Sequence, residues 1–358
     1  VTIGSTGYTD YQNAAVGGDV VLGAVSGYGG ARAASLDVTA AGDVTTTTAS
    51  IAATSIAVVA GGSVTAPSTG ALQGAALQVT AGATANINTA VDSLTLSAAQ
   101  VTVVEADSLA LNGVSAVGTN GAITLTVGGA VTDGGDARPD LSATSAIVQA
   151  TAIGTSSNRL ETTLTKLEAN ATAGGIFVAN TGGLTIGGIG SLVGLNAAGA
   201  IDLSSTGAVT VSEAVSATGA ITFTADQLEV TATVAAANQL LTIQPFTPTT
   251  TISVGGTAGT LALSDSELTK LSGFQKIVFG DATSGSGLVT IESATLTDPV
   301  VFAGGSIDLR QVSAGTSNSV ELIALSGGTI TDNFSGTGSD ITGSTVTVRG
   351  TVAAGTSG

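Results

Sequence analysis

Short runs of alternating apolar and polar residues recur along the chain, each opened by a glycine: Gly121-Ala-Ile-Thr-Leu125, Gly199-Ala-Ile-Asp-Leu203, Gly207-Ala-Val-Thr-Val211, Gly219-Ala-Ile-Thr-Phe223 and Gly305-Ser-Ile-Asp-Leu309. A period of two places both apolar side chains of such a run on one face and the polar one on the other, which predicts half-buried strands and not helices. Gly199 and Gly219 open nearly identical runs 20 residues apart, with Gly207 opening a third between them. The repeat unit is therefore a coil of about 20 residues carrying at least two strands. Strands this short do not pair stably as isolated hairpins, but stacked coils let each bond to its equivalents above and below, about 4.8 Å away. The fold class expected is all-β: a parallel β-helix, or β-solenoid, of some 17 or 18 coils.

The breaks in the pattern define its organisation. Gly-Gly pairs at 61–62, 134–135, 174–175, 182–183, 187–188 and 304–305 read as tight bends with positive φ, and all five prolines fall between strand candidates. Residues 1–30 form an atypical N-terminal segment, a cap or contact region; 31–244 form the solenoid; 245–251 form a Pro/Thr-rich loop or seam; and 252–358 continue the solenoid. Within that continuation Ser264-Asp-Ser-Glu267 is a capping box, with Leu263 and Leu268 placed as a hydrophobic staple and Gly273 as a stop, so a short helical turn is expected over 264–272.

Composition narrows the classes of function. The chain has 51 Gly among 358 residues, 3% aromatics, and no Cys, Met, Trp or His, so its core must be built from many small repeated contacts. A hydrophobic content of 43% lies far from the signature of disorder. Eight basic against 25 acidic residues give a net charge of −17, which repels phosphate backbones and anionic lipid: nucleic acid is not an expected partner, and no apolar run is long enough to insert directly in a membrane. The absence of cysteine fits an uncontrolled redox environment outside the cell.

Two stretches go beyond this general texture. One runs from Ile153 through Asn158-Arg-Leu160 and Leu167-Glu-Ala169 to Gly174-Gly-Ile-Phe-Val178 and Leu184-Thr-Ile186. The other runs from the Ser264 box through Ile277-Val-Phe-Gly-Asp281, Gly287-Leu-Val-Thr-Ile291 and Asp298-Pro-Val-Val-Phe302 to Leu309. Both resemble the filamentous-haemagglutinin-like giant exoproteins and adhesins of Gram-negative bacteria. The resemblance implies a right-handed parallel β-helix, export to the cell surface, and a role in adhesion, aggregation or matrix formation, with no catalytic residues to carry over. The family's N-terminal secretion region has no counterpart in the sequence.

Parallel β-helices also include polysaccharide-degrading enzymes, in which two carboxyls act as a glycosidase pair. Glu105 with Asp107, Asp133 with Asp136 and Asp140, Asp265 with Glu267, and Asp298 are the candidates; the plainer reading makes them solvated outward or corner residues. No catalytic or cofactor-binding residue is assigned, and the chain is not expected to be an enzyme. Oxygen ligands are all the chain offers a metal, so calcium is the candidate, at Asp133 and Asp136. Tyr8, Tyr11 and Tyr28 all precede residue 30, and they read as either a glycan-binding surface or a cover over an apolar solenoid end. The expected partners are a further copy stacked end to end, a longer polypeptide, or a cell-surface glycan or protein receptor; a self-assembling filament or surface-layer subunit is the alternative role.

Overall fold

The computed structural model describes residues 2–6, 10–26, 33–47, 51–136, 138–190, 192–325 and 327–353. Strands make up 57% of the chain and helix 2%, in parallel coils of about 21 residues that form a β-solenoid. The chain divides into two compact units, Val1–Thr172 and Ala173–Gly358. The Pro/Thr-rich stretch 245–251 lies inside the second of them.

In the first unit the predicted alternation becomes columns of like residues. Leu36 pairs with Ile56, Ile56 with Leu77, Leu77 with Leu94 and Leu94 with Leu111, each on the next parallel strand. All five are buried. A second column, Val20, Val44, Val64, Ala85, Val101 and Ile123, runs along another face and is equally buried. Each column repeats one inward position, so a coil adds apolar burial without needing a large side chain.

The second unit stacks Ile201, Ile221, Leu241, Ile277, Val300 and Val320 in the same way. A separate sheet carries Leu261, Ile252, Val289, Ile307 and Ile330. The step from Leu241 to Ile277 is the longest, because an insertion there holds the loop after Gln244, the strands Ile252–Val254 and Leu261–Leu263, and the helix. Insertions of this kind reduce the expected 17 or 18 coils to about 15 turns.

The helix is shorter than the 264–272 span expected, covering Asp265–Leu268. Its capping box is present: the Glu267 carboxylate accepts from the Ser264 N–H at 2.8 Å and the Ser264 hydroxyl at 2.7 Å, and reaches the Val230 N–H at 2.9 Å. The Lys270 and Leu271 N–H groups then bond three residues back, which tightens the helix and turns Leu271 into a parallel bridge with Val234. Leu263, Leu268 and Leu271 are all buried.

The glycine pairs divide into two kinds. Gly135, Gly182, Gly187 and Gly188 do adopt positive φ. The pair at 61–62 does not: a Cβ on Gly61 would meet the Ala41 carbonyl oxygen at 2.2 Å, so close approach of the neighbouring coil, and not a left-handed bend, excludes a side chain there.

Candidate functional site

The acidic candidates are not all solvated, as the sequence reading expected. Glu105 is 2% exposed, because it takes the next inward position after Val101 and Val103 on the strand Gln100–Glu105. Its carboxylate accepts backbone N–H groups from Val91 at 3.1 Å, Ala106 at 2.8 Å and Asp107 at 3.3 Å. Burial raises its pKa, against the pull of those bonds. Asp107 lies beyond the strand end and is exposed, so the two acids do not form a pair on one strand face. Asp298 is also buried and accepts the Phe274 N–H at 3.1 Å. Glu267 is committed to the helix cap. Tyr8 and Tyr28 lie outside the described residues; Tyr11 is placed by its backbone, in the strand Asp10–Val16 beside Leu36.

One group of three carboxylates converges among the described residues. Asp133, Asp140 and Glu161 each present an oxygen within 4.8 Å of the other two. Asp133 ends the strand Val131–Asp133, Asp140 immediately precedes Leu141–Ala150, and Glu161 is the second residue of Leu160–Ala171. The ladder that pairs Val114 with Leu141 and Leu141 with Thr162 places Asp140 and Glu161 on successive coils. Backbone bonds fix that position: Val114 N–H donates to the Asp140 carbonyl at 2.8 Å, and Asp140 N–H to the Glu161 carbonyl at 2.7 Å.

Asp140 is the unusual member. It is 0% exposed; its Oδ2 accepts the Glu161 N–H at 2.9 Å, while its Oδ1 is buried with no hydrogen-bond partner. Burial, with the Asp133 and Glu161 charges added, pushes its pKa up to about 8 despite the Glu161 N–H. Asp133 accepts the Gly135 N–H at 2.6 Å and Asp136 the Arg138 N–H at 2.8 Å, so each of these carboxylates closes onto the backbone two residues on. Of the two acids weighed for calcium, Asp133 therefore joins the cluster and Asp136 does not. Glu161 was missed, although its signal was present: it lies one coil, 21 residues, beyond Asp140.

The arrangement offers hard oxygen ligands and one carboxyl held neutral near pH 7. A carboxyl pair this close is near the roughly 5–5.5 Å of retaining glycosidases. A general acid must reach the glycosidic oxygen, however, and Asp140 has no exposed surface. Beside the cluster, Arg138 lines an open groove of about 390 Å³ together with Gln78, Thr80, Thr95, Ser97 and Ser142. The chain matches no protein-family model, no curated protein and no solved structure.

Proposed function

We propose that this chain is a structural, non-catalytic β-solenoid of an extracellular bacterial surface protein of the filamentous-haemagglutinin type, serving adhesion, aggregation or matrix formation. The observation that carries this reading is the in-register stack itself: from Leu36 to Leu111 each coil repeats the inward apolar position of the last. Outward positions of the same strands carry short polar residues such as Asp37, Gln78, Thr80, Thr95 and Ser97. The capping box and the buried Asp298 ahead of Val300–Gly304 fall in the stretch that resembles that family, and each ties one coil to another through a backbone N–H. The absence of Cys and a charge of −17 suit a soluble exterior surface.

A second reading is a self-assembling filament subunit, in which another copy covers the last described coil; further coils of the same polypeptide would cover it equally. Val346 and Val348 continue the column above Val320 and Leu322, and Val352 the column above Ile330, but they are 44%, 42% and 66% exposed where their partners are buried. Electron microscopy of the purified chain at rising concentration distinguishes the two. Fibres that lengthen with concentration make it a filament subunit; particles of one chain at every concentration leave the stalk reading standing. Cleavage of an acidic polysaccharide by the purified chain would overturn both.

A further inference from the structure

We infer that Asp133, Asp140 and Glu161 form a calcium-binding site that clamps two successive coils of the first unit at the 133–140 corner. Three carboxylate oxygens lie within 4.8 Å of one another. Calcium takes oxygen ligands at about 2.3–2.6 Å, so ligands on opposite sides of the ion stand up to about 5 Å apart.

Acidic clusters are common on acidic proteins, and the cluster alone would not carry the assignment. The second observation is Asp140 Oδ1, a fully buried carboxyl oxygen with no hydrogen-bond partner, on a group that calcium would hold in its charged form. A buried polar atom left without a partner is costly, and native structures seldom leave one without reason. Among the described residues no cation serves it. Arg138, the nearest basic residue in sequence, lines the groove with Gln78 and Thr95 and forms no ion pair with the three carboxylates. Asp136, the remaining acid of the corner, is occupied with the Arg138 N–H.

The three ligands come from distinct places in the fold: the exit of one strand, the entry of the next, and the following coil. Glu161 is exposed and Asp133 half-buried, so an ion has an entry path and water can complete a shell of six to eight oxygens. An ion held there draws Asp133 and Asp140 onto the coil containing Glu161.

The test uses the whole chain, stripped with chelator and titrated with calcium chloride in about 0.15 M sodium chloride, which screens loose counter-ion binding. Calorimetry should show one saturable site with a Kd of roughly 10⁻⁴–10⁻³ M, the range of extracellular calcium modules. Hydrogen exchange should slow in peptides covering 131–142 and 160–163 and stay unchanged elsewhere. Glu161→Gln and Asp133→Asn alter outer positions and leave the Asp140–Glu161 backbone bonds in place, so each should fold as wild type yet bind at least about tenfold more weakly. Absence of saturable binding, or unchanged affinity in both variants, overturns the assignment. Protection spread over the whole chain does so as well, because it would mark non-specific screening of the net charge.

Discussion

Glu105 occupies an inward position that alternation assigns to an apolar residue, and the backbone around it is arranged to accept a carboxylate. It caps N–H groups on its own strand end and on Val91 of the neighbouring strand. The raised pKa gives its pH signature a definite sign. A group whose folded value lies above its unfolded value, near 4.5, favours the fold most when protonated. Its contribution is therefore greatest below pH 4.5 and is lost as pH rises through the folded value. Urea unfolding of the first unit at pH 4 to 7 should show a downward slope attributable to this group. Glu105→Gln, uncharged throughout, should flatten that slope, and Glu105→Ala should lower stability at every pH by roughly 2–4 kcal/mol by orphaning the N–H groups. An unchanged slope in Glu105→Gln would assign the pH dependence elsewhere. Reading Glu105 and Asp107 as solvated outward residues missed this. The alternation Val101, Val103, Glu105 was the better guide, and it places residue 105 inside.

The strands and the helix cap were the most legible elements, because both depend on local spacing. Gly-small-apolar-polar-apolar runs became strands such as Ile201–Ser205 and Ile221–Thr224, and Ser264 with Glu267 became a cap. The helix end was less legible, since Leu271 leaves helical geometry to meet Val234, a partner 37 residues earlier. The stretch 245–251 lies between the strands Leu240–Gln244 and Ile252–Val254, and what orders it was not legible in the sequence. Asp226, one coil earlier, accepts the Thr247 N–H at 2.8 Å, the Thr247 hydroxyl at 2.7 Å and the Thr250 hydroxyl at 2.8 Å. Burial draws the Asp226 pKa upward, but these bonds outweigh it and hold the group below the usual 3.8. Asp226→Ala removes all three bonds while leaving the strand Leu228–Val230 its ladder with Val209–Val211. Limited proteolysis at neutral pH should then cut near Phe246, which is 45% exposed, at least several-fold faster than in wild type. Equal cleavage rates would mean that the loop is ordered by its prolines and by Ser286, whose N–H donates to the Pro248 carbonyl at 2.8 Å.

At the scale of the whole molecule the sequence disclosed class and period, because a parallel solenoid writes its repeat directly into the chain. It disclosed the carboxylate cluster only in part, since Asp133 and Asp140 are near in sequence whereas Glu161 arrives through coil stacking. The division at Thr172 was not legible, there being no compositional break at that point. The same stacking logic yields the prediction with most bearing on function. Thr345–Arg349 pairs with Ser319–Ala324 on one side, and its inward residues Val346 and Val348 remain over two-fifths exposed. Exposed strand backbone beside apolar side chains is a template for another strand, and natural proteins blunt such edges with charge, especially lysine. Arg349, paired with Glu321 at 2.8 Å, is the one charged residue in Thr345–Arg349. If a second copy docks there, the weight-average mass in sedimentation should rise with protein concentration. The double substitution Val346→Lys and Val348→Lys should hold it at that of a single chain, with unfolding of the first unit unchanged. A wild-type mass independent of concentration would remove end-to-end assembly as the role of this strand and leave the stalk reading; a lysine variant that still assembled would place the contact on another surface.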